Sequence, residues 1–193
     1  MKNEQRTPSA GGRLIFWNVM TLDGFFEAKN KWEIDFHNSV WGEELERFST
    51  EQLQSCSALV FGRVTYEGMA AYWKKETGEI ADFMNSLPKI VCSRTLKQVD
   101  WANTTIVSGD IEQEIASIKR RSEKDLFVFG SADLSATLMQ HGLIDEYRIC
   151  LAPVVLGAGT PLFKPRQEQL TMKLLEARPL KTGGIILRYQ PVM

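Results

Sequence analysis

Residues 128–134 read Val128-Phe129-Gly130-Ser131-Ala132-Asp133-Leu134, and this segment decides the fold. An apolar strand runs directly into a glycine, and the pattern predicts a helix that opens with a serine cap immediately afterwards. Such a junction presents unbonded backbone N–H groups and the positive end of a helix dipole, and together these bind phosphate groups. An ordinary serine-capped helix without a ligand is the alternative interpretation.

A second junction of the same kind lies earlier in the chain, at Val60-Phe61-Gly62-Arg63-Val64-Thr65. Gly62 lets the backbone approach a phosphate, Arg63 can pair with it in a bidentate manner, and Thr65 can donate a hydroxyl. The alternative is a glycine that ends a strand beside a solvated arginine. Two phosphate-binding junctions in a chain of this size predict a dinucleotide ligand and an enzyme that uses it.

A third buried strand also ends in polar residues, at Cys92-Ser93-Arg94-Thr95. Serine and arginine at this position suit the 2′-phosphate of NADP, whereas an acidic residue in the same role would favour NAD. A polar turn before the next element is the alternative interpretation.

The periodicity of the apolar residues predicts an α/β fold. Strands alternate with helices up to residue 142, which predicts right-handed crossovers and a mostly parallel sheet. Thr182-Gly183-Gly184 predicts the turn of a C-terminal antiparallel hairpin. Ligands of such sheets bind beyond the carboxyl ends of the strands, where both glycine junctions are expected. Strands are predicted at 14–20, 58–61, 89–92, 104–107, 126–129, 146–155, 170–178 and 185–190, and helices at 42–55, 66–73, 80–87, 110–121 and 134–141.

The segment 25–41 is aromatic but aperiodic, and we interpret it as a long functional loop. Its aromatic residues Trp32, Phe36 and Trp41 either cover a cleft or lie in a dimer interface, and the sequence does not choose between the two. We expect a homodimer. His37, in the same segment, is interpreted as a surface histidine, and a substrate-binding residue is the alternative.

The remaining motifs give structural interpretations. His141 lies in the last turn of its helix, where an imidazolium suits the helix dipole. Gly157-Ala158-Gly159-Thr160-Pro161 is not followed by a helix and is interpreted as a turn that shapes the site or contacts another subunit. No Ser/His/Asp order, His-Glu-x-x-His or Cys-x-x-Cys motif occurs, so the sequence supports neither a hydrolase nor a metal centre.

The composition limits the possible partners and the location. The chain has 193 residues, of which 44% are hydrophobic, and 23 basic residues against 24 acidic ones. This balance favours a small-molecule partner over nucleic acid or a membrane. Cys56, Cys92 and Cys150 are far apart and are expected to be buried free thiols in a reducing compartment. Residues 1–12 lack the apolar region of a signal peptide, so we expect a mobile tail before a domain at 13–193, in a cytoplasmic protein.

Three segments together resemble one family. They are Met20-Thr21-Leu22-Asp23-Gly24-Phe25, then Phe61-Gly62-Arg63-Val64-Thr65-Tyr66-Glu67-Gly68, and then Leu143-Ile144-Asp145-Glu146-Tyr147 running into Ala152-Pro153-Val154-Val155-Leu156-Gly157-Ala158-Gly159-Thr160-Pro161-Leu162-Phe163. In this order they resemble the dihydrofolate reductase superfamily, in particular the C-terminal reductase domain of the bifunctional riboflavin-biosynthesis deaminase-reductase, over residues 13–191. The resemblance implies a three-layer α/β/α fold around a mixed sheet, with NADPH as hydride donor.

The resemblance also implies roles for individual residues in binding NADPH. The cofactor phosphates would be held by Gly62, Arg63 and Thr65, the 2′-phosphate would be flanked by Ser93 and Arg94, and the pyrophosphate would meet Gly130, Ser131 and Ala132. The nicotinamide side of the cleft would be lined by Val19, Met20 and the turn at Asp23.

A proton donor is harder to assign. Dihydrofolate reductases carry a carboxylate on the helix before the Gly-Arg strand, and counting back without gaps places Glu46 near that position. Glu43 and Glu44 lie beside it, so a solvated acidic helix face is the alternative. The segments with which riboflavin-pathway reductases bind a ribose phosphate do not occur here, so neither family substrate is supported.

The sequence therefore predicts an NADPH-dependent reductase of a small heterocyclic or carbonyl substrate, similar to the reductase of riboflavin biosynthesis and to dihydrofolate reductase. A non-catalytic NADP-binding or sensing protein is the first alternative. A phosphate-binding α/β protein unrelated to NADP is the second.

Overall fold

One eight-stranded sheet organises the computed structural model, which describes residues 11–166 and 168–192. Ten strands are present in this part of the chain: β1 (Leu14–Thr21), β2 (Phe25–Glu27), β3 (Cys56–Gly62), β4 (Lys89–Cys92), β5 (Thr104–Val107), β6 (Asp125–Phe129), β7 (Glu146–Ala152), β8 (Thr160–Pro161), β9 (Met172–Pro179) and β10 (Ile185–Pro191). The helices are α1 (Glu43–Gln54), α2 (Arg63–Trp73), α3 (Glu79–Ser86), α4 (Ile111–Arg121) and α5 (Ala132–Gln140).

The strand order of the large sheet is β5-β4-β3-β6-β1-β7-β10-β9. All pairs from β5 to β7 are parallel, and β10 pairs antiparallel with both β7 and β9. Gly183, at a φ of +90°, forms the turn between β9 and β10. The predicted parallel sheet with a C-terminal hairpin is confirmed.

Side-chain alternation along β1 separates the core into two layers. Ile15 and Trp17 pack with α1, α2 and α3, whereas Leu14 and Phe16 pack with α4 and α5 on the other face. Successive residues of a strand point to opposite faces, so one buried strand serves both layers. This arrangement confirms the expected three-layer α/β/α fold.

The structure corrects two of the predicted boundaries. β7 ends at Ala152 rather than at residue 155, because Pro153 cannot donate to the ladder. The segment 25–41 is not only a loop, since it contains β2 and a short 3-10 helix at Asp35–Ser39. β2 pairs with β8, and a strand partner so far away in the chain leaves no local pattern.

A charge cluster around the buried Glu146 joins β7 and β10 to Arg13, the residue before β1. Glu146 is 1% exposed and accepts hydrogen bonds from Arg148 Nε at 2.7 Å, Arg188 Nε at 2.7 Å and Arg13 Nη1 at 2.9 Å. Arg148 Nη1 also donates to Gln52 Oε1 at 3.1 Å, which attaches α1 to the sheet. Three guanidinium groups therefore neutralise one buried carboxylate.

Other expectations concern the chain ends and the thiols. Gly12 is buried and its N–H donates to Lys119 O at 2.9 Å, whereas residues 1–10 of the predicted tail lie outside the described residues. Cys56, Cys92 and Cys150 are buried and unpaired, as predicted.

Within residues 11–166 and 168–192, none of the helices combines the length and the apolar character needed to cross a bilayer.

Candidate active site

The strand order creates a crevice between β3 and β6. These strands are parallel neighbours, with Val60 opposite Val128, so Gly62 and Gly130 end them at the same edge of the sheet. After β3 the chain enters α2 on one face, and after β6 it enters α5 on the other. Open α/β sheets bind ligands where neighbouring connections diverge in this way. A cleft of about 1110 Å³ lies at this point.

The two glycine junctions contact each other. A Cβ on Gly62 would collide with Ser131 Oγ, and a Cβ on Gly130 would lie 3.3 Å from Thr65 Cγ2. Gly130 also has a φ of +55°, which favours glycine. The sequence placed both junctions at one edge, and they lie close enough for a single dinucleotide to reach both.

Neither helix that starts at this edge has a side-chain cap. Gly62 is the N-cap residue of α2 and has no side chain to offer. Ser131 is the N-cap residue of α5, but its φ of +59° directs the hydroxyl to Gly62, and it makes no capping hydrogen bond. The predicted serine cap is therefore wrong. Among the described residues no side chain accepts from the first-turn amides of either helix, and these amides carry the positive ends of two helix dipoles.

Asn18 on β1 occupies one of the amides at this edge, and the sequence analysis did not identify this residue. Its Oδ1 accepts from Gly130 N at 2.9 Å, so the Gly130 amide is not free, contrary to the expectation. The residue is only 7% exposed, and its Nδ2 has no hydrogen-bond partner in the described structure. Asn18 lines the cleft, and its buried Nδ2 is an unsatisfied donor in the described structure.

Ser93 and Arg94 also line the cleft, at the end of β4. Ser93 Oγ accepts from Thr95 N at 3.2 Å and from Leu96 N at 3.0 Å. Its acceptor capacity is thus used, and the group is left to act as a donor. Arg94 is exposed, so its guanidinium is accessible from solvent.

Arg63 opens α2 at the same edge and lines the cleft. Its Nη1 pairs with Glu67 Oε2 at 3.0 Å, one helical turn later, and both side chains are exposed. Such a surface pair contributes about 0.3–0.5 kcal/mol, so an anionic ligand can replace it. We call this part of the cleft the amide end, and it is lined by residues 62–65, 93–94 and 130–132.

Val19 lines the cleft, but Met20 and Asp23 are not brought to it. Met20 follows Val19 on a strand, so its side chain points to the opposite face and packs with the α4 and α5 layer. Asp23 accepts from Thr21 Oγ1 at 2.6 Å and Gly157 N at 2.7 Å. The Thr21 hydroxyl, with the Gly157 amide, lowers the pKa of Asp23. Asp23 thus fixes the Gly157 turn, and its role is structural.

Glu46 is not part of the cleft either. It is exposed on α1, whereas the residues of α1 that line the cleft are Leu45, Ser49, Gln52 and Leu53. The acidic residues at the start of α1 lie on its solvent side, as the alternative interpretation stated.

The other end of the cleft is apolar. We call it the aromatic pocket, and its walls are Trp32, His37, Trp41, Leu45, Met69 and Trp73. Phe36 is buried in the core beside it, and its ring meets the His37 ring edge-on with 4.8 Å between the ring centroids. Of the two possibilities for these aromatic residues, Trp32 and Trp41 therefore line the cleft.

The two histidines differ in their surroundings. His37 is only partly exposed, its Nε2 is buried without a partner, and burial lowers its pKa to about 4. The expectation of an ordinary surface histidine is therefore wrong. His141 ends α5 and its Nδ1 lies 2.8 Å from Glu112 Oε2 at the rim of the cleft, a structural contact.

Comparison with known proteins agrees with this architecture. YyaP, an uncharacterized protein of Bacillus subtilis (strain 168), is 29% identical over 182 residues, which cover 92% of this chain and 94% of the relative. A Shewanella sp. PV-4 protein, provisionally named a riboflavin biosynthesis protein, has a similar structure with a TM-score of 0.78 and 21% identity, covering 94% of this chain and 99% of that one. Dihydrofolate reductase from Enterococcus faecalis, complexed with NADP(H), gives a TM-score of 0.64 and 14% identity, covering 95% and 98% of the two chains.

A family model decides the assignment. The model of the RibD C-terminal domain matches residues 13–186, which is nearly the whole described chain. The motifs that resembled this family lie at the end of β1, on the β3–α2 junction and around β7. Of their residues, Gly62 to Thr65 and Thr160 line the cleft. The chain belongs to the RibD C-terminal domain family.

Proposed function

We propose that this protein is an NADPH-dependent reductase of a small heterocyclic or carbonyl substrate. The observation that carries the proposal is the pair of uncapped helix N-termini, α2 and α5, that meet at Gly62 and Gly130. Two adjacent sets of free amides suit the two phosphates of a dinucleotide. The E. faecalis dihydrofolate reductase, which has the same fold, is complexed with NADP(H).

The residues at the amide end fit this cofactor in charge and in hydrogen-bonding character. The first-turn amides of α2 and α5 would hold the diphosphate, with Arg63 beside it. Ser93 as a donor and Arg94 as a cation would hold the 2′-phosphate. Val19 would contact the nicotinamide, and Asn18 Nδ2 would find its missing acceptor nearby. When bound, the cofactor supplies hydride.

Thermal stabilisation tests the cofactor assignment. We expect saturating NADPH to raise the melting temperature by about 5 °C or more, because a ligand at a hundredfold excess over its Kd stabilises a protein by about 2.7 kcal/mol. NADH lacks the 2′-phosphate and should give a much smaller shift. Equal shifts with the two cofactors would contradict the roles of Ser93 and Arg94.

A matched pair of variants sharpens the test. Arg94→Ala should weaken NADPH binding about tenfold, because a charge-assisted contact is lost, and should leave NADH binding unchanged. Arg47→Ala removes a similar exposed arginine on α1, outside the cleft, and should change neither. If the two variants behave alike, Arg94 has no specific role.

A non-catalytic NADP-binding protein is the second candidate, favoured by one observation. Among the described residues of the aromatic pocket and its rim, the nearest carboxylate is Glu27, and its two oxygens are engaged by Trp32 N and Thr160 Oγ1. A reductase should oxidise NADPH with at least one of dihydrofolate, the pyrimidine intermediate of riboflavin synthesis or simple quinones. Tight NADPH binding without turnover on any of them would favour the binding protein.

A further inference from the structure

The aromatic pocket lies beside α2, beyond the amide end of the cleft. Gly68 and Met69 follow Arg63 by five and six residues on α2, which is roughly 8 Å along the helix axis. A ligand held at the amide end would therefore leave the aromatic pocket open to a second molecule.

The chain fixes the position of one wall of this pocket. Trp32 has a φ of +64°, which is a strained conformation for a bulky residue, and its N–H donates to Glu27 Oε2 at 2.7 Å. Its ring lies directly on Gly68, where any Cβ would overlap it. The described contacts thus hold an aromatic plane in place, as a stacking surface requires.

Glu27 supplies a carboxylate at this pocket, and its two oxygens are already engaged by Trp32 N and Thr160 Oγ1. The other polar side chains of the floor and walls carry no charge. Ser49 and Gln52 come from α1, and His37 comes from the 3-10 helix. His37 is neutral at physiological pH because burial keeps its pKa near 4, and its Nε2 lacks a partner. A buried imidazole nitrogen without a hydrogen bond is costly, and a ligand oxygen or nitrogen would satisfy it.

The charges along the cleft are divided between its ends. Among the described lining residues both arginines, Arg63 and Arg94, belong to the amide end. On the opposite side the segment after β2 contributes Lys29 and Lys31, and both are exposed. No buried cation of the described chain faces the aromatic pocket, so it lacks a bidentate partner for a phosphate.

We infer that the aromatic pocket binds the substrate, and that the substrate is a planar, conjugated, uncharged compound without a phosphate group, hydrogen-bonded to His37 Nε2 through a carbonyl oxygen or ring nitrogen. This inference rests on the proposed reductase function. In the reaction, hydride from NADPH adds to the carbon of a C=O or C=N bond and a proton from solvent adds to the oxygen or nitrogen. The products are NADP⁺ and the corresponding alcohol or amine.

Two flavins test the inference as binding probes, because they differ only in a phosphate. Riboflavin carries an uncharged conjugated ring system, and flavin mononucleotide carries the same ring with a phosphate. With NADP⁺ saturating, we expect riboflavin to bind at least tenfold more tightly than flavin mononucleotide, measured by quenching of flavin fluorescence. Tighter binding of the mononucleotide would overturn the inference and point to Lys29 and Lys31 as phosphate contacts. Failure of riboflavin, lumichrome and menadione all to bind would overturn it as well.

Variants of the pocket separate its parts. His37→Phe keeps a ring of similar size and should weaken riboflavin binding about tenfold, whereas His37→Gln restores a hydrogen-bonding group and should recover most of it. Trp41→Ala removes an exposed aromatic side chain from the wall of the pocket and should also weaken riboflavin binding. Leu174→Ala, an exposed apolar residue of β9 outside the cleft, is the control and should have no effect.

The affinity for NADPH distinguishes a failure of the proposed reductase function from a failure of the inference about the aromatic pocket. All four variants should keep the wild-type Kd for NADPH, because none of these residues belongs to the amide end. If the wild-type protein does not bind NADPH, the proposed function fails. If it binds NADPH but His37→Phe leaves riboflavin binding unchanged, only the present inference fails.

Discussion

The amide end and the aromatic pocket share one cleft, but the first is formed mainly by backbone groups and the second by side chains. The amide end consists mainly of backbone N–H groups at two helix starts, so its chemistry is fixed by main-chain geometry. The aromatic pocket consists of side chains from α1, α2 and the segment between β2 and α1. Substitutions can therefore change what the pocket binds without altering the amide end.

The largest expected effect is a loss of stability at Glu146, whose partner Arg148 attaches α1, a wall of the aromatic pocket, to the sheet. Glu146→Gln leaves three arginines around a neutral amide and disturbs the Arg148–Gln52 contact that holds α1. Removing one partner of a buried ion pair typically costs about 3–5 kcal/mol. Urea unfolding at pH 7 measures the loss. Glu176→Gln is the control, since that partly exposed carboxylate should cost at most about 1 kcal/mol.

The same carboxylate predicts acid sensitivity. Burial alone would raise the pKa of Glu146, but hydrogen bonds from Arg188 and Arg148 outweigh it and lower the pKa to about 2 from an ordinary value of 4.5. Between these values the unfolded chain binds more protons than the folded one, so the free energy of unfolding falls as the pH falls. The loss is on the order of 3 kcal/mol, and Glu146→Gln should not show it. Unchanged stability of the wild-type protein between pH 5 and 3 would contradict this account.

Two glycines of the α2 region allow the amide end and the aromatic pocket to be separated, because Gly62 is the N-cap residue of α2 and Gly68 lies in the middle of the helix. Gly62→Ala should weaken NADPH binding by about tenfold to a hundredfold, because the new Cβ collides with Ser131 and such crowding costs about 1–3 kcal/mol. Gly68→Ala should displace the Trp32 ring, so it should weaken riboflavin binding and leave NADPH binding unchanged. Calorimetric titration of both variants with both ligands measures the pattern. Loss of both ligands in each variant would mean that the regions are not independent.

Asn18→Asp probes the donor that faces the amide end. The carboxylate still accepts from Gly130 N, but it replaces the Nδ2 donor with an anion. We expect the NADPH affinity at pH 8 to fall about tenfold, and the melting temperature to fall as well because a buried carboxylate without a cation partner is costly. Asn38→Asp makes the same chemical change at an exposed position on the 3-10 helix and serves as the control. An unchanged Kd for Asn18→Asp would show that Nδ2 does not meet the cofactor.

The smallest expected effect is at Glu67, which pairs with Arg63 on the helix surface. Glu67→Gln releases the guanidinium, so NADPH should bind about twofold more tightly and stability should change by less than about 0.5 kcal/mol. Glu51→Gln, on the exposed face of α1, controls for the lost charge. Weaker NADPH binding in Glu67→Gln would instead mean that Glu67 orients Arg63 for the cofactor.

Much of the amide end follows from local sequence. Gly62, Arg63, Gly130 and Ser131 each lie at a strand-to-helix junction that a short window identifies, and the parallel alternation then places these junctions at one edge. Two errors were also avoidable from periodicity. Val19 and Met20 cannot face the same side of a strand, and Glu46 lies off the helix face that buries Leu45 and Phe48.

The rest depends on contacts between distant segments, which no local pattern encodes. Asn18 meets Gly130 across 112 residues of sequence. The left-handed conformation of Ser131 arises from its packing against Gly62, and it overrides the usual capping preference of serine. The aromatic pocket needs Trp32 on Gly68 and His37 beside α1, so its walls become visible only after the layers are assembled.

A crystal structure of the protein with NADPH tests most directly whether the Gly62 and Gly130 junctions bind the same dinucleotide. We expect the diphosphate to lie within hydrogen-bond distance of the first-turn amides of both α2 and α5, with the 2′-phosphate near Ser93 and Arg94 and the nicotinamide pointing toward Trp32. A diphosphate bound away from Gly62 and Gly130, or no bound NADPH at millimolar concentration, would contradict the account.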